Sequence, residues 1–454
     1  MKPRQITFFG NFGTQNLGNE CTLQAIVHNT LKRLPDAKLQ CLCTVPEDTV
    51  ARHNIAALPS TAAWPDWVTA CLKRYRSRRA RGVAQAGSLQ SGSSGTPVSP
   101  AGDGSKRALG VGYGSGQKAP LAKWLRIILV QIPKEVLHWA KGLRMVKGSH
   151  MLIVPGTGLV SDYLTGPFGW AYDIFKWSTI AKVCRARVLF VSIGVGPVYH
   201  PLSKWFIKTS LRFADYRSYR DPASRQYMVG IGFHANGDRV CPDLAFGLPR
   251  SMFPECPLGT GQKPVIGVGL KNYDGPRGVG DRPDANAYRY YLNTMAAFVT
   301  WLCAHGYPVR VLIGDILYDS SVEQDFMNLL KERGLAPDDG GLISQPVLTV
   351  DQLLRQLAAT DIVISPRFHN LVLALMLNKP VIALSDHQKL DSLMAGLGLA
   401  QYCHDINHMN VGRLIEQFQD VERNAERLKL LISQRVEQSR KALDEQYSLI
   451  FKNV

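Results

Sequence analysis

RQITFFGNFGTQNLGNECTLQAIVHNTLKRLPDAKLQCLCTV, residues 4–45, is the stretch whose reading sets the fold. Residues 4–9 read as a strand, and Gly10 to Asn19 is a loop rich in glycine and asparagine. Glu20 to Leu34 reads as a helix and stops at Pro35, which lacks the N–H needed to continue it. Residues 38–45 read as a second strand. Strand, loop, helix, strand is the opening of a doubly wound parallel sheet, whose ligands sit at the carboxyl ends of the strands.

Outward from there the alternation is interrupted once. Lys73 to Arg81 holds six basic residues in nine, and a Gly/Ser/Ala/Pro-rich run follows to about residue 120. Such a stretch buries too little apolar surface to offset its chain entropy, so 73–118 is expected to be a disordered insertion. Residues 121–147 interleave Trp124, Ile127, Val136 and Trp139 with Lys123, Arg126, Lys134 and Arg144, and Pro133 is expected to kink this helical segment. Two readings stand for it: an ordinary amphipathic helix packed on its domain, or a basic helix lying on an anionic membrane face. From His150 the alternation resumes, with strands at 151–154, 187–193 and 216–219, and Asp221-Pro222 as the cap and first turn of a helix.

Residues 250–264 read as a linker, after which strands at 265–270, 308–313, 361–365 and 381–384 alternate with helices at 285–305, 321–333, 350–358 and 371–377. Residues 411–449 are helical in period. The expected fold class is therefore α/β, with two Rossmann-like parallel-sheet lobes, 1–255 and 265–410, in a glycosyltransferase-B-like arrangement, and a C-terminal helical tail, 411–454. The site is expected in the cleft between the lobes.

The 454 residues carry a formal net charge of +17. That excess points to an anionic partner: a phosphorylated substrate, a membrane face or nucleic acid. A basic solubility surface is the plainer account. Nine scattered cysteines include no CxxC pair and no zinc-finger spacing, so free thiols in a reducing cytosol and no metal are expected. No stretch of 18 uncharged apolar residues occurs. A cytoplasmic protein, with peripheral contact at the inner membrane face, is the resulting expectation.

Ser365-Pro366-Arg367-Phe368-His369-Asn370 follows an apolar strand and opens a helix. This places a planar guanidinium, an imidazole and free backbone N–H groups at the positive end of a helix, a ready anion site. Histidine also titrates near neutrality and can move protons. Lys389, in Asp386-His387-Gln388-Lys389, emerges from the next strand near the same spot. Arg220, at a strand end in Tyr219-Arg220-Asp221-Pro222-Ala223-Ser224, is placed to face the cleft. The bland alternatives are surface charges for Arg367 and Lys389, a capping role for His369, and a structural ion pair for Arg220. Two glycine loops, Gly10–Glu20 and Pro155-Gly156-Thr157-Gly158, follow strands but match neither a P-loop nor GxGxxG. Asn11, Asn16, Gly156, Thr157 and Asp162 are the substrate-side candidates, with Asp162 equally readable as a helix cap.

Taken in order, Gly10–Glu20, Gly156–Asp162, Ser192–Pro197, Arg220–Ser224, Asp243, Arg367–His369 and Pro380–Lys389 resemble the polysaccharide pyruvyl transferase family. The resemblance implies phosphoenolpyruvate as donor, no separate cofactor, and ketal-forming transfer to a sugar or lipid-linked oligosaccharide. It implies functional roles for Arg220, Arg367, His369 and Lys389, of which His369, Arg220 and Lys389 are the catalytic candidates; Ser365 and Asn370, in the turn with Arg367, join Arg367, Arg220 and Lys389 as donor-binding candidates. The chain departs from the family at Pro155-Gly156-Thr157-Gly158, where three glycines are usual, and at Lys271, where an arginine often stands. A nucleotide-sugar-dependent glycosyltransferase of the same architecture is the main alternative. A non-catalytic nucleic-acid-binding protein is the other, and no nucleic-acid partner is expected, because the basic run lacks interleaved stacking rings.

Overall fold

A computed structural model describes residues 4–61, 132–163, 165–255, 263–273, 275, 284–335 and 341–452. The expected insertion at 73–118 and residues 121–131 of the basic amphipathic segment lie outside the described residues. Residues 1–60 and 142–454 form one compact unit, which carries both sheets and the site; residues 61–141, with the start of the helix that begins at Ile132, are assigned to a second.

The first lobe runs β1 (Gln5–Phe9), α1 (Leu17–Arg33), β2 (Lys38–Cys43), α2 (Pro46–His53), β3 (Ala56–Pro59), α3 (Ile132–Val146), β4 (Ser149–Pro155), an irregular turn (Pro167–Ala171), α4 (Tyr172–Val183), β5 (Arg187–Ile193), α5 (Pro201–Phe213), β6 (Tyr216–Tyr219), α6 (Pro222–Gly230) and β7 (Arg239–Val240). The second runs β8 (Ile266–Gly269), α7 (Ala285–Ala304), β9 (Val309–Leu312), α8 (Ile316–Glu332), β10 (Leu342–Ser344), α9 (Val350–Ala358), β11 (Ile362–Ser365), α10 (Phe368–Met376), β12 (Val381–Ser385), α11 (Gln388–Gly396) and β13 (Cys403–Asp405). Helices α12 (Val411–Arg423) and α13 (Ala425–Phe451) close the chain.

The strand orders are β3-β2-β1-β4-β5-β6-β7 and β10-β9-β8-β11-β12-β13, and every strand pair is parallel. Both are doubly wound, with switch points between β1 and β4 and between β8 and β11. Strands covered by helices on both faces are buried throughout, as β11 and β12 are at every residue, and their unbroken apolar runs follow from this. The architecture is the two-lobed α/β fold expected.

Several boundaries move, for local reasons. Helix α1 starts at Leu17, not Glu20, because the Asn16 side chain accepts from Asn19 N and caps it. Glu20 instead turns inward, accepting from Gly13 N at 2.9 Å and from His53 Nε2 at 2.8 Å. Helix α10 starts at Phe368, not Leu371, so His369 and Asn370 sit in its first turn. In α3, Pro133 occupies the first described turn, where proline is tolerated, so no kink in the helix body follows from it.

The last helix is more than a tail. Helix α13 returns to the first lobe, where buried Gln446 donates to Ser192 Oγ (3.1 Å) and accepts from Ser218 Oγ (2.7 Å) and Tyr216 OH (3.0 Å). Arg440 binds the carbonyls of Phe246 and Leu248 at 3.1 and 3.0 Å. Among the described residues no helix is long and apolar enough to cross a membrane.

Candidate functional site

The lobes meet through loops at the carboxyl ends of β1 and β9. Leu17 N donates to Gly314 O (3.1 Å) and Ile316 N to Gln15 O (3.0 Å), a short antiparallel bridge from lobe to lobe. Asn16 Nδ2 adds a bond to Asp315 Oδ2 at 2.7 Å, and burial raises the Asp315 pKa. The first turn of α10 lies against the first turn of α1: a Cβ on Gly18 would fall 1.9 Å from His369 Nδ1. Glycine at 18 is thus what lets the imidazole of one lobe reach into the other.

Around that contact the charged residues form two linked groups. In the first, Arg220 Nη1 donates to Asp243 Oδ2 at 3.2 Å, and His369 Nε2 stands 3.7 Å from Asp243 Oδ1. Asp243 is fully enclosed, yet its pKa is lowered: burial opposes ionisation, but the His369 imidazole and the Arg220 guanidinium outweigh it. In the second group, Lys271 pairs with Asp386, which also bonds His387. Burial and the nearby Lys389 charge bring the His387 pKa down to about 4.

Phe368 joins the groups. The Arg220 guanidinium lies 4.5 Å from its ring centroid and Lys389 Nζ 5.9 Å. Arg220, Phe368 and Lys389 line one cavity of about 350 Å³ with Asp243, Cys241 and Ser392. No described carboxylate lies within ion-pair distance of Lys389. Burial first, then the charges of Lys271 and Arg220, lowers its pKa to about 7. Its place at the start of α11 adds a helix dipole of the wrong sign for a cation. An anion in the cavity would relieve all three.

Arg367 is held differently. Its Nη2 pairs with Asp319, a wholly buried carboxylate that also accepts from the amides of Asn272 (3.0 Å), Gly314 (3.2 Å) and Asp315 (3.0 Å). Ser365 Oγ accepts from Arg367 N at 3.0 Å, making the turn, and lacks a free surface. Asn370 is fully buried, and neither its Oδ1 nor its Nδ2 has a hydrogen-bond partner. Arg220 Nε, Arg367 Nε and His369 Nε2 are also buried without one. Arg220 borders the cavity, and Arg367, His369 and Asn370 share the turn that carries Phe368; buried polar groups left unsatisfied there are costly.

On the substrate side, Asn11 Oδ1 accepts from Thr44 Oγ1 (2.9 Å) and its carbonyl from Asn19 Nδ2 (2.9 Å). Asn16 is spent on its cap and on Asp315. Both oxygens of Asp162 are taken by backbone, Tyr199 N at 2.9 Å and His200 N at 2.8 Å, which orders the approach to α5. At Gly156, a Cβ would sit 2.0 Å from Ser192 O, so the glycine serves close packing of two loops. Of the five, Thr157 alone keeps an unpartnered hydroxyl. The structure thus brings Arg220, His369 and Lys389 around Phe368 and Asp243, and places Asn11, Asn16 and Asp162 in supporting hydrogen bonds.

Sequence reasoning gave no role to Asp243, Asp319, Asp386 or Phe368. Asp243 and Asp386 each stand shortly after a strand, the one signal available for them. Among the described residues, no group of three His, Cys, Asp or Glu side chains is placed to hold a metal ion.

Comparison with solved structures shows the fold. HepE of Anabaena, solved with UDP, superposes with a TM-score of 0.55 at 12% identity, over 99% of this chain and 100% of that one. A glycosyltransferase from Rickettsia africae gives 0.53 at 10% identity, over 100% of both chains. The UDP-GlcNAc 2-epimerase of Neisseria meningitidis, bound to UDP-GlcNAc, gives 0.52 at 11% identity, over 99% and 100%. No curated protein matches the sequence. The family model described as Polysaccharide pyruvyl transferase matches residues 16–388, from the cap of α1 to the first residue of α11. The chain belongs to the polysaccharide pyruvyl transferase family.

Proposed function

We propose that this protein transfers the pyruvyl group of phosphoenolpyruvate to two hydroxyls of a sugar, in a polysaccharide or its lipid-linked precursor, forming a cyclic ketal and releasing phosphate. The observation that carries the reading is the shared cavity of Arg220 and Lys389 beside His369, in a chain of this family. The donor carries a carboxylate and a phosphate, and the cavity offers one cation already paired and one held against its preference.

The reaction then runs as follows. His369, protonated, delivers its proton to the methylene carbon of the donor, converting the enol to an oxocarbenium-like centre; Asp243, 3.7 Å away, is the counter-charge that orients the ring. One sugar hydroxyl adds to that centre and gives up its proton, restoring the imidazolium. The phosphate leaves with its bonding pair, stabilised by Arg220 and Lys389, and a second hydroxyl closes the ring, its proton passing to phosphate. Arg367, fixed by Asp319, holds the turn that opens α10 and so the position of Phe368 and His369.

The test incubates purified protein with phosphoenolpyruvate and candidate glycans. A mass gain equal to pyruvate less water on the glycan, with equimolar phosphate, is expected. Consumption of a nucleotide sugar instead, with phosphoenolpyruvate untouched, would overturn the reading.

A further inference from the structure

The first lobe carries an aromatic face that the reaction does not use. Phe168, in the turn before α4, is 60% exposed, and Trp205, on α5, is 49% exposed. They are the outer members of a continuous cluster. Ring centroids lie 6.2 Å apart for Phe168–Tyr172, 5.6 Å for Tyr172–Phe206, 5.0 Å for Phe206–Phe175 and 5.2 Å for Phe175–Trp205. Large rings held together in water mark an interaction surface.

The stretch of chain that carries the rings is strongly basic. Residues 167–213 include seven lysines and arginines against one carboxylate, Asp173. Asp173 is taken by Lys176 (3.1 Å), and Lys182 pairs with Asp215 just beyond (2.7 Å). Lys204, Lys208 and Arg212, on the same helix as Trp205, have no acidic partner among the described residues. Trp205, Lys208 and Arg212 recur at helical spacing on one stripe of α5. Indole beside lysine and arginine is the composition of a membrane-interface surface, rings at headgroup depth and cations on lipid phosphates.

We propose that this face docks onto the surface of an anionic phospholipid bilayer. A second copy of the chain fits poorly, because a two-fold contact would press the unpaired cations of each copy against their own image. The rings lie at the starts of α4 and α5, which follow the carboxyl ends of β4 and β5, the edge that borders the crevice. Docking would hold the crevice rim beside the bilayer, in reach of a membrane-anchored sugar. The binding itself does not depend on the reaction proposed above.

Vesicle flotation of the full-length protein tests it. Vesicles of phosphatidylcholine with about a third phosphatidylglycerol are expected to float the wild-type protein, with binding lost in high salt. The Phe168→Ser/Trp205→Ser variant, whose changes are at exposed positions and whose Tm should match wild type, is expected to bind roughly tenfold more weakly. Val136→Ser/Leu137→Ser, on exposed apolar positions of α3, is expected to float like wild type. Unchanged flotation of the Phe168/Trp205 variant overturns the proposal. So does a wild-type protein that stays off the vesicles, or a concentration-dependent dimer that the same two substitutions abolish.

Discussion

Lys389 is held in a state that its surroundings resist. Its pKa falls from 10.5 to about 7, so between those values the unfolded chain holds a proton that the folded chain has released. Stability attributable to this residue therefore rises with pH from about 7 to 10.5, and its full cost is felt below 7. Lys389→Met is expected to raise Tm by about 2–4 °C at pH 6, with the gain gone by pH 10, as calorimetry would show. Activity should move the opposite way. The KM for phosphoenolpyruvate is expected to rise as pH passes upward through 7 in the wild type. It should stay flat over that range in Lys389→Arg, whose guanidinium remains charged. His369 and Asp243 act as a unit. His369→Gln is expected to lower kcat by roughly 10²–10⁴ with little change in KM. Asp243→Asn should do similarly, and the double variant should be no worse than the weaker single one in a phosphate-release assay.

At the level of elements, the crossing of α1 and α10 decides whether His369 is in place. Gly18→Ala improves helix propensity yet puts a methyl 1.9 Å from Nδ1, so the ring must leave. Loss of about 10² in kcat with unchanged far-ultraviolet circular dichroism is the expected result. The same crossing shows what the sequence made readable. Central strands β5, β11 and β12 announce themselves by the apolar runs VLFV, IVI and VIAL. The strands that sequence reading passed over, β3, β7, β10 and β13, are the four sheet edges, two to four residues each, too short to show any period. Arg220, Arg367, His369 and Lys389 were legible as positions because each follows a strand and opens a helix. Their partners were not. Asp319 lies within α8, where an acid reads as a solvated face, and only the fold turns it inward onto Arg367. Gly18 could not be read either, since its neighbour comes from 351 residues along the chain.

At the scale of the whole molecule, the chain passes between the lobes twice, after Met252 and again at α13. Gln446 is the fixed point of the second joint, since Ser192, Ser218 and Tyr216 all bond to it. Gln446→Leu removes one hydrogen bond from each of those three hydroxyls, leaving Ser218 Oγ only its bond from Ser192 N, and is expected to cost about 2–3 kcal/mol, read from urea unfolding. That joint also bears on how the protein is made. The first lobe is translated early, yet the helix that covers Ser192 and Ser218 emerges only after the entire second lobe. The nascent first lobe must wait on the ribosome with that seam uncovered, and a chain released before α13 would carry a finished cleft on an unsealed, aggregation-prone half.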